Sequence, residues 1–313
     1  MTLLRKAIES RSWDVALWIS AAMLALAFLA GEFGRRHYWL DQLSQFRGQI
    51  GLAALGGLAV ALLLRRWRPG GAFIVLVFVG IWLTFPGVPA GSDAGPGTIR
   101  LMSFNAFTKN ERPEDVVTLI QREQPDLVLL FEVSEQLDAA LVELEREYAY
   151  HQRRLFSRGG SIILSKLPLL EHDLGYAGFS SQSARVRLPS GRPLNVFAVH
   201  LLSPLGERQW RWRNDGLKVL AASVRNAEGP TVVAGDFNTT PYSVFFRTFL
   251  EETGLRPPGV HGLPRATWFS SVPWVGLPID HVLLSPEITV ERAWTGPSAG
   301  SDHFAVFAEL RVP

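Results

Sequence analysis

The sequence predicts an α/β domain behind a set of membrane-spanning helices, and three features carry that prediction. From residue 98 onward, short apolar runs alternate with amphipathic ones, the pattern of strand followed by helix. Ahead of residue 98 lie three long stretches without a charge. Polar side chains capable of chemistry stand where apolar runs stop. In residues 231–240, TVVAGDFNTT, a Thr-Val-Val-Ala run ends at Gly235 and is followed by Asp236 and Asn238. Two positions apart at a strand end, they share one face, while Phe237 turns the other way into the core. Taken alone, the stretch fits an ordinary turn equally well.

The bulk composition narrows the chemistry. At 313 residues the chain is long for one domain, and 47% hydrophobic content is high for a wholly soluble one. The net charge, 31 basic against 29 acidic residues or +2, makes no case of its own for a nucleic-acid partner. There is no cysteine, which excludes disulfides, a disulfide-linked partner, thiolate catalysis and zinc-thiolate sites. Any metal must be held by oxygen or imidazole, which points to a hard cation.

The amino-terminal region, residues 1–91, is expected to be a membrane anchor of three transmembrane helices at about 13–33, 48–64 and 70–89. Trp13, Trp18, Trp67 and Trp82 lie near the ends of these runs, where tryptophan meets the lipid interface. The first run follows Arg5 and Lys6 and contains Ala25-Leu26-Ala27, so it also fits a signal peptide; two further apolar runs argue for the anchor. The second run, rich in Gly and Ala, also fits a buried helix. Arg5, Lys6, Arg11, Arg65, Arg66 and Arg68 outweigh Arg35, Arg36 and Arg47, so the carboxyl-terminal part is expected outside the cytoplasm. Residues 92–97, SDAGPG, read as a linker.

In residues 98–313, the strand at 99–105 ends in Asn105, and Pro113 opens a helix over 113–123. Residues 126–133, DLVLLFEV, form a buried strand carrying one acid, Glu132. A charge inside an apolar strand is costly unless it is paired with an arginine or bound to a cation. Ser134 caps a helix over 134–148, and GSIILS at 160–165 is a strand stopped by Lys-Leu-Pro. Residues 183–188 and 194–200 form a hairpin across Pro-Ser-Gly-Arg-Pro, with His200 at its end; a lone strand-end histidine is more often structural.

The segment ERQWRWRND at 207–215 opens a helix running to about 225 and mixes arginine with tryptophan. That mixture suits phosphate, nucleotide or headgroup contacts, and suits a helix at a membrane surface equally. Arg208, Arg213, Asn214 and, from a later segment, Trp268 are the candidate substrate contacts. A helix at 241–252 follows, then a strand at 278–285, PIDHVLLS, with Asp280 and His281 near its start. Asp302 and His303 enter a final strand at 304–312. One Asp-His pair at a strand entrance is weak evidence; two pairs, with Asn, Glu, His and Asp-x-Asn all at strand ends, point to a site.

The ordered set SFN with Asn105, FE with Glu132, GSIILSKLP, VHL with His200, GDFN, PIDHVLLS and SDH resembles the endonuclease/exonuclease/phosphatase superfamily, which also holds sphingomyelinases and inositol-polyphosphate phosphatases. The likeness covers residues 98–313. Phe131 departs from it, since many members carry Gln before the metal-binding acid. The resemblance implies a four-layer α/β sandwich, two mixed sheets flanked by helices, with the site at one edge. It implies Glu132 as principal ligand of Mg²⁺ or Mn²⁺, with Asn105 beside it and Asp302 in the metal or water shell. Asp236 would orient and deprotonate a water, Asn238 and His200 would hold phosphate oxygens, and His303, steadied by Asp280, would face the charged phosphorane.

The implied function is a membrane-anchored phosphoesterase of the bacterial inner membrane, facing the periplasm, with a lipid bilayer as one partner. Its substrate would be a nucleic acid, or a phospholipid headgroup or sugar phosphate, classes that residues acting on a shared phosphate do not separate. A non-catalytic tethered binding module is a further alternative, expected to lack one of the acids. A structural membrane protein with a globular tail leaves the ordered motifs unexplained.

Overall fold

The computed structural model describes residues 11–84, 98–156, 159–174, 181–258 and 266–313. Its contacts divide the chain into two compact units, Met1–Gly87 with Tyr242–Val244, and Val88–Pro241 with Phe245–Pro313.

The first unit contains α1 (Arg11–Glu32), α2 (Tyr38–Gln45), α3 (Arg47–Leu63) and α4 (Trp67–Thr84). Leu17, Ala21 and Phe28 of α1 pack with Ala54 and Ala61 of α3 and Phe73 and Leu76 of α4. Small residues bring two helices close: a Cβ on Gly80 would lie 3.3 Å from the Cα of Gly51. The three-span expectation is met only in part. Among the described residues one helix, α1, is long and apolar enough to cross a membrane. The second expected span is α3, which is joined to α2 at a 62° bend, so the two qualify only as a broken pair. The third is a shorter apolar helix over Trp67–Gly80. The expected end of that third span, at 85–89, and the linker at 92–97 lie outside the described residues.

The second unit is built from strands β1 (Thr98–Asn105), β2 (Leu127–Val133), β3 (Tyr150–Arg154), β4 (Gly160–Ser165), β5 (Leu169–Leu174), β6 (Gln182–Arg187), β7 (Pro193–His200), β8 (Thr231–Asp236), β9 (Asp280–Leu284), β10 (Thr289–Thr295) and β11 (Val306–Arg311). Its helices are α5 (Pro113–Glu123), α6 (Glu135–Ala140), α7 (Glu207–Asn226) and α8 (Val244–Thr253). One sheet runs β10-β11-β1-β2-β4-β3 and the other β5-β6-β7-β8-β9. Each has a single parallel pair, β1 with β2 and β7 with β8, and is otherwise antiparallel. A helix bridges each parallel pair, as a parallel crossover requires: α5 between β1 and β2, α7 between β7 and β8.

Strand alternation explains the layers. One face of each sheet meets the other sheet, with Leu101, Leu129, Phe131 and Ile163 packed against Val196, Ala198, Val232 and Val282. The opposite face of the first sheet, with Phe104, Val128 and Leu130, receives Val116, Ile120 and Leu137 from α5 and α6. That of the second, with Val199, Val233 and Leu283, receives Leu217, Leu220 and Phe249 from α7 and α8. The four-layer expectation therefore holds. The helix expected over 134–148 is shorter: Ser134 caps it through the Leu137 N–H, but α6 ends at Ala140 and continues as a 3₁₀ turn, Leu141–Leu144.

Candidate active site

The site forms where the two parallel pairs end, the position at which open α/β sheets place their ligands. Asn105 ends β1, Glu132 stands near the end of β2, His200 ends β7 and Asp236 ends β8. Asp280 opens β9, opposite Asp236 in the antiparallel ladder.

Local backbone geometry aims these side chains. Pairing of β2 with β4 shifts register between Phe131 and Val133, and Glu132 at that shift has φ +51°. A bulge of this kind rotates one side chain out of the strand's alternation, and the acid inside the apolar run thereby reaches the sheet end. Gly235 has φ +148°, and a Cβ there would sit 1.9 Å from the Val199 carbonyl oxygen, so only glycine lets β8 approach β7 at this point. Asn238 has φ +49°, a left-handed conformation that asparagine tolerates better than most residues.

Asn105 ties the two halves together. Its Nδ2 donates to Glu132 Oε1 at 3.1 Å and to Asp236 Oδ2 at 3.0 Å, while its Oδ1 accepts from the Phe107 N–H. Asp236 further accepts from the Asn238 N–H on Oδ1 at 2.8 Å and from Asn238 Nδ2 on Oδ2 at 3.1 Å. His200 Nε2 lies between the acids, 3.6 Å from Glu132 Oε1 and 3.9 Å from Asp236 Oδ2. His303 Nδ1 is hydrogen-bonded to Asp280 Oδ2 at 2.9 Å, which leaves Nε2 facing Asp236 Oδ2 at 3.9 Å and Asp302 Oδ1 at 4.0 Å.

Electrostatics follow from this burial. Desolvation, reinforced by the Asp280 charge and opposed by His303, pushes the Asp236 carboxyl up to about 7. Burial pulls His303 down, but the Asp280 charge and hydrogen bond, with Asp236 and Asp302, override it and raise the imidazole to about 10. Burial also lowers His200, against the pull of Glu132.

The family model for the endonuclease/exonuclease/phosphatase family matches residues 102–303, which contain every one of these side chains. The chain belongs to this family. Its members are phosphodiesterases, nucleases and phosphatases, and the family's enzymes use divalent metals. A UPF0294 protein of Vibrio cholerae serotype O1 is 30% identical over 132 residues, 41% of this chain and 44% of that protein, so the match spans under half of the curated relative. Similar solved structures include an endonuclease/exonuclease/phosphatase protein from Bacteroides vulgatus, with TM-score 0.57 and 18% identity over 69% of this chain and 99% of that one. The human Nocturnin catalytic domain with bound sulfate gives 0.56 and 20% identity over 72% and 97%. D. rerio TDP2 in complex with a single-strand DNA product gives 0.56 and 19% over 68% and 98%. At these identities the likeness is one of fold.

For this family member the donor set can be tested against a hard cation. Glu132 keeps 31% of its side chain exposed, and its oxygens are held only at 3.1 Å by Asn105 and 3.4 Å by Thr108. Asp302 Oδ1 is buried without a hydrogen-bond partner. Oxygen ligands with spare lone pairs suit Mg²⁺ or Mn²⁺, and the residues fit such an ion. The structure does not gather the three expected ligands equally. Asn105 touches Glu132, whereas Asp302 stands apart, accepting from Trp268 Nε1 at 3.2 Å on Oδ2. Among the described residues, the acids and histidines that come close enough to share an ion are Asp236, Asp280 and His303, with ligand atoms within 4.8 Å of one another. In that group Asp280 is already engaged by His303, which favours its reading as an acid–imidazole pair beside a lone carboxylate.

The expected substrate contacts divide. Trp268 lies at the site through Asp302 and through its bridge to His303. Arg213 and Asn214 need correcting: both are buried, because they fall on the face of α7 that packs on the second sheet, and Arg213 Nε donates to Asn214 Oδ1 at 2.8 Å. Arg208 is exposed on α7, its guanidinium 5.0 Å from the Trp212 ring, and it does not join the site's hydrogen-bonded group. Sequence reasoning missed Ser301, whose Oγ donates to the Asn105 carbonyl at 2.7 Å and accepts from the His303 N–H. It also missed Thr267, whose Oγ1 accepts the Ile279 and Asp280 N–H groups. Ser301 stood inside the motif GSDH; for Thr267 no local signal existed.

Proposed function

We propose that this chain is a membrane-anchored, divalent-metal-dependent phosphoesterase that hydrolyses a phosphodiester or phosphomonoester with an activated water. The observation that carries the reading is the convergence of Glu132, Asn105, His200, Asp236, Asn238, Asp280 and His303 from both sheets onto one group within hydrogen-bond or ion-pair reach. Glu132, with Asn105 beside it, would hold the cation, and Asp302 would serve its water shell; the bound cation supplies charge stabilisation at a phosphoryl oxygen. Asp236, its carboxylate oriented by Asn105 and Asn238, positions a water and takes its proton. His303, held by Asp280 through Nδ1, presents Nε2–H to the phosphoryl oxygens as negative charge builds. His200 and Asn238 orient the phosphate.

Nucleic acid is the first substrate class to examine, since the D. rerio neighbour was solved with a DNA product. A membrane role for the first unit is supported by the outward apolar residues of all three longer helices, including Ile19, Leu26 and Leu29, Leu52 and Leu62, and Val75 and Phe78. It is also supported by charges paired at helix ends, Arg66 with Asp14 and Arg47 with Glu32. At ~1.5 Å per residue α1 is about 33 Å long, enough for a bilayer core. Were all three apolar helices to cross, the basic flanks would put the catalytic domain outside the cytoplasm, and a carboxyl-terminal alkaline phosphatase fusion would then be active. The functional test is turnover of nucleic acids, phospholipids and sugar phosphates by the full-length chain in detergent. Mg²⁺-dependent release of product from one class is expected, with loss in EDTA; turnover of none of them would contradict the reading.

A further inference from the structure

The turn that carries Asp236 and Asn238 is gripped from beneath by two side chains outside its motif. Arg213, fully buried on α7, donates from Nη1 to the Asn238 carbonyl oxygen at 3.1 Å while its Nε is committed to Asn214. His281, the second residue of β9, has Nε2 2.8 Å from the Thr239 carbonyl oxygen. A carbonyl only accepts, so Nε2 carries the hydrogen and donates. The imidazole is fixed in place by ring contacts, 4.4 Å from Phe246 and 5.3 Å from Phe237 between centroids.

These bonds meet a local need. The carbonyls of left-handed Asn238 and of Thr239 each meet a side chain of the domain interior, and a buried carbonyl without a donor is costly. The same residue controls the acid, because its backbone N–H and its side-chain amide each bond one oxygen of Asp236. A shift of the Asn238 backbone would therefore disturb the Asp236 carboxylate.

We propose that Arg213 and His281 are positioning residues that clamp the Asn238 and Thr239 carbonyls and so hold the Asp236 carboxylate in its working orientation. Neither touches substrate. The inference rests on the phosphoesterase reading for its kinetic consequence and on geometry alone for its structural one. Arginine is needed because a planar fork can serve Asn238 and Asn214 together, whereas a lysine ammonium on a flexible stem lacks that fixed two-point geometry.

The test compares Arg213→Met, Arg213→Lys, His281→Phe and His281→Gln with the wild type. Full-length protein in detergent is assayed with Mg²⁺ and bis(p-nitrophenyl) phosphate, and hydrogen–deuterium exchange is followed in parallel. Arg213→Met and His281→Phe should lower kcat by roughly 10²-fold with KM nearly unchanged, the loss that a misplacement of about 1 Å produces. Exchange should quicken in peptides covering residues 236–241 and stay slow in β7 and in residues 231–235. His281→Gln, whose amide can donate to the same carbonyl, should restore most of both properties, and Arg213→Lys a part. If the Met and Phe variants fail to fold, the Lys and Gln variants decide by the same two readings. The inference is overturned if kcat is unchanged in folded variants, if protection falls evenly across the domain, or if Lys and Gln do no better than Met and Phe. Should wild type leave the probe intact, the phosphoesterase reading is what fails, and the exchange arm still judges the clamp.

Discussion

The two parallel strand pairs are built alike, yet their ends offer opposite surroundings. The β1–β2 end presents Glu132 on a bulge with 31% of its side chain exposed, restrained by Asn105 and Thr108 and facing His200 at 3.6 Å. The β7–β8 end, with β9 paired alongside β8, buries Asp236 to 1% and Asp280 to 6%, and fills their acceptors with Asn105, Asn238 and His303. Burial of carboxylates is tolerated there because each has donors and a cationic imidazole between them. The difference teaches a division of labour: a half open to water can exchange an ion, and a half sealed by fixed hydrogen bonds can hold one reactive geometry.

The largest expected effect comes from the sealed half. Asp236→Asn keeps the shape and can keep the acceptor at one oxygen, but it removes the charge and sets an amide NH2 against an N–H donor, so turnover should fall by roughly 10²-fold or more, out of proportion to any change in melting temperature. Adding His303→Ala should cost far less than the product of the two single losses, as for groups that act as a unit. A marked drop in melting temperature with the folded fraction still active would make Asp236 a turn-forming residue.

A smaller effect should appear in stability. His303 is raised from an ordinary value of 6.5 to about 10, so the folded state holds a proton that the unfolded state has lost. The stabilisation is complete below about 6.5 and disappears as pH rises through about 10, at up to about 1.4 kcal/mol per pH unit for one proton. Asp236, raised to about 7, titrates at the lower end of this window, so the part of the decline above about pH 8 belongs to His303. In EDTA the wild-type melting temperature should decline between pH 7 and 10, and Asp280→Asn should flatten that decline. An unchanged slope would dissociate Asp280 from the charge on His303.

The same contrast explains what the sequence revealed. Central strands were legible because they are buried on both faces and read as apolar runs that stop at a polar residue, as at Asn105, His200 and Asp236. The strands that went unread, β3, β5 and β10, are all edge strands, and their polar sequences YHQRR, LLEHDL and TVERAWT carry little of that pattern. The strand-end positions of Asn105, His200 and Asp236 were legible in the same way. Thr267 was not, because its role depends on a loop meeting the start of β9 across the fold. Arg213 was misread because arginine beside tryptophan looks like a surface contact until α7 is packed. In the first unit, apolar length alone did not reveal the bend between α2 and α3.

The division of labour is tested most directly by titrating Mg²⁺ into full-length wild type, Glu132→Gln and Asp236→Asn while following phosphodiester hydrolysis. Glu132→Gln should raise the Mg²⁺ concentration needed for half-maximal rate, and Asp236→Asn should depress the maximal rate at an unchanged half-saturation point. Hydrolysis that persists in EDTA, or two variants with the same titration curve, would contradict the account.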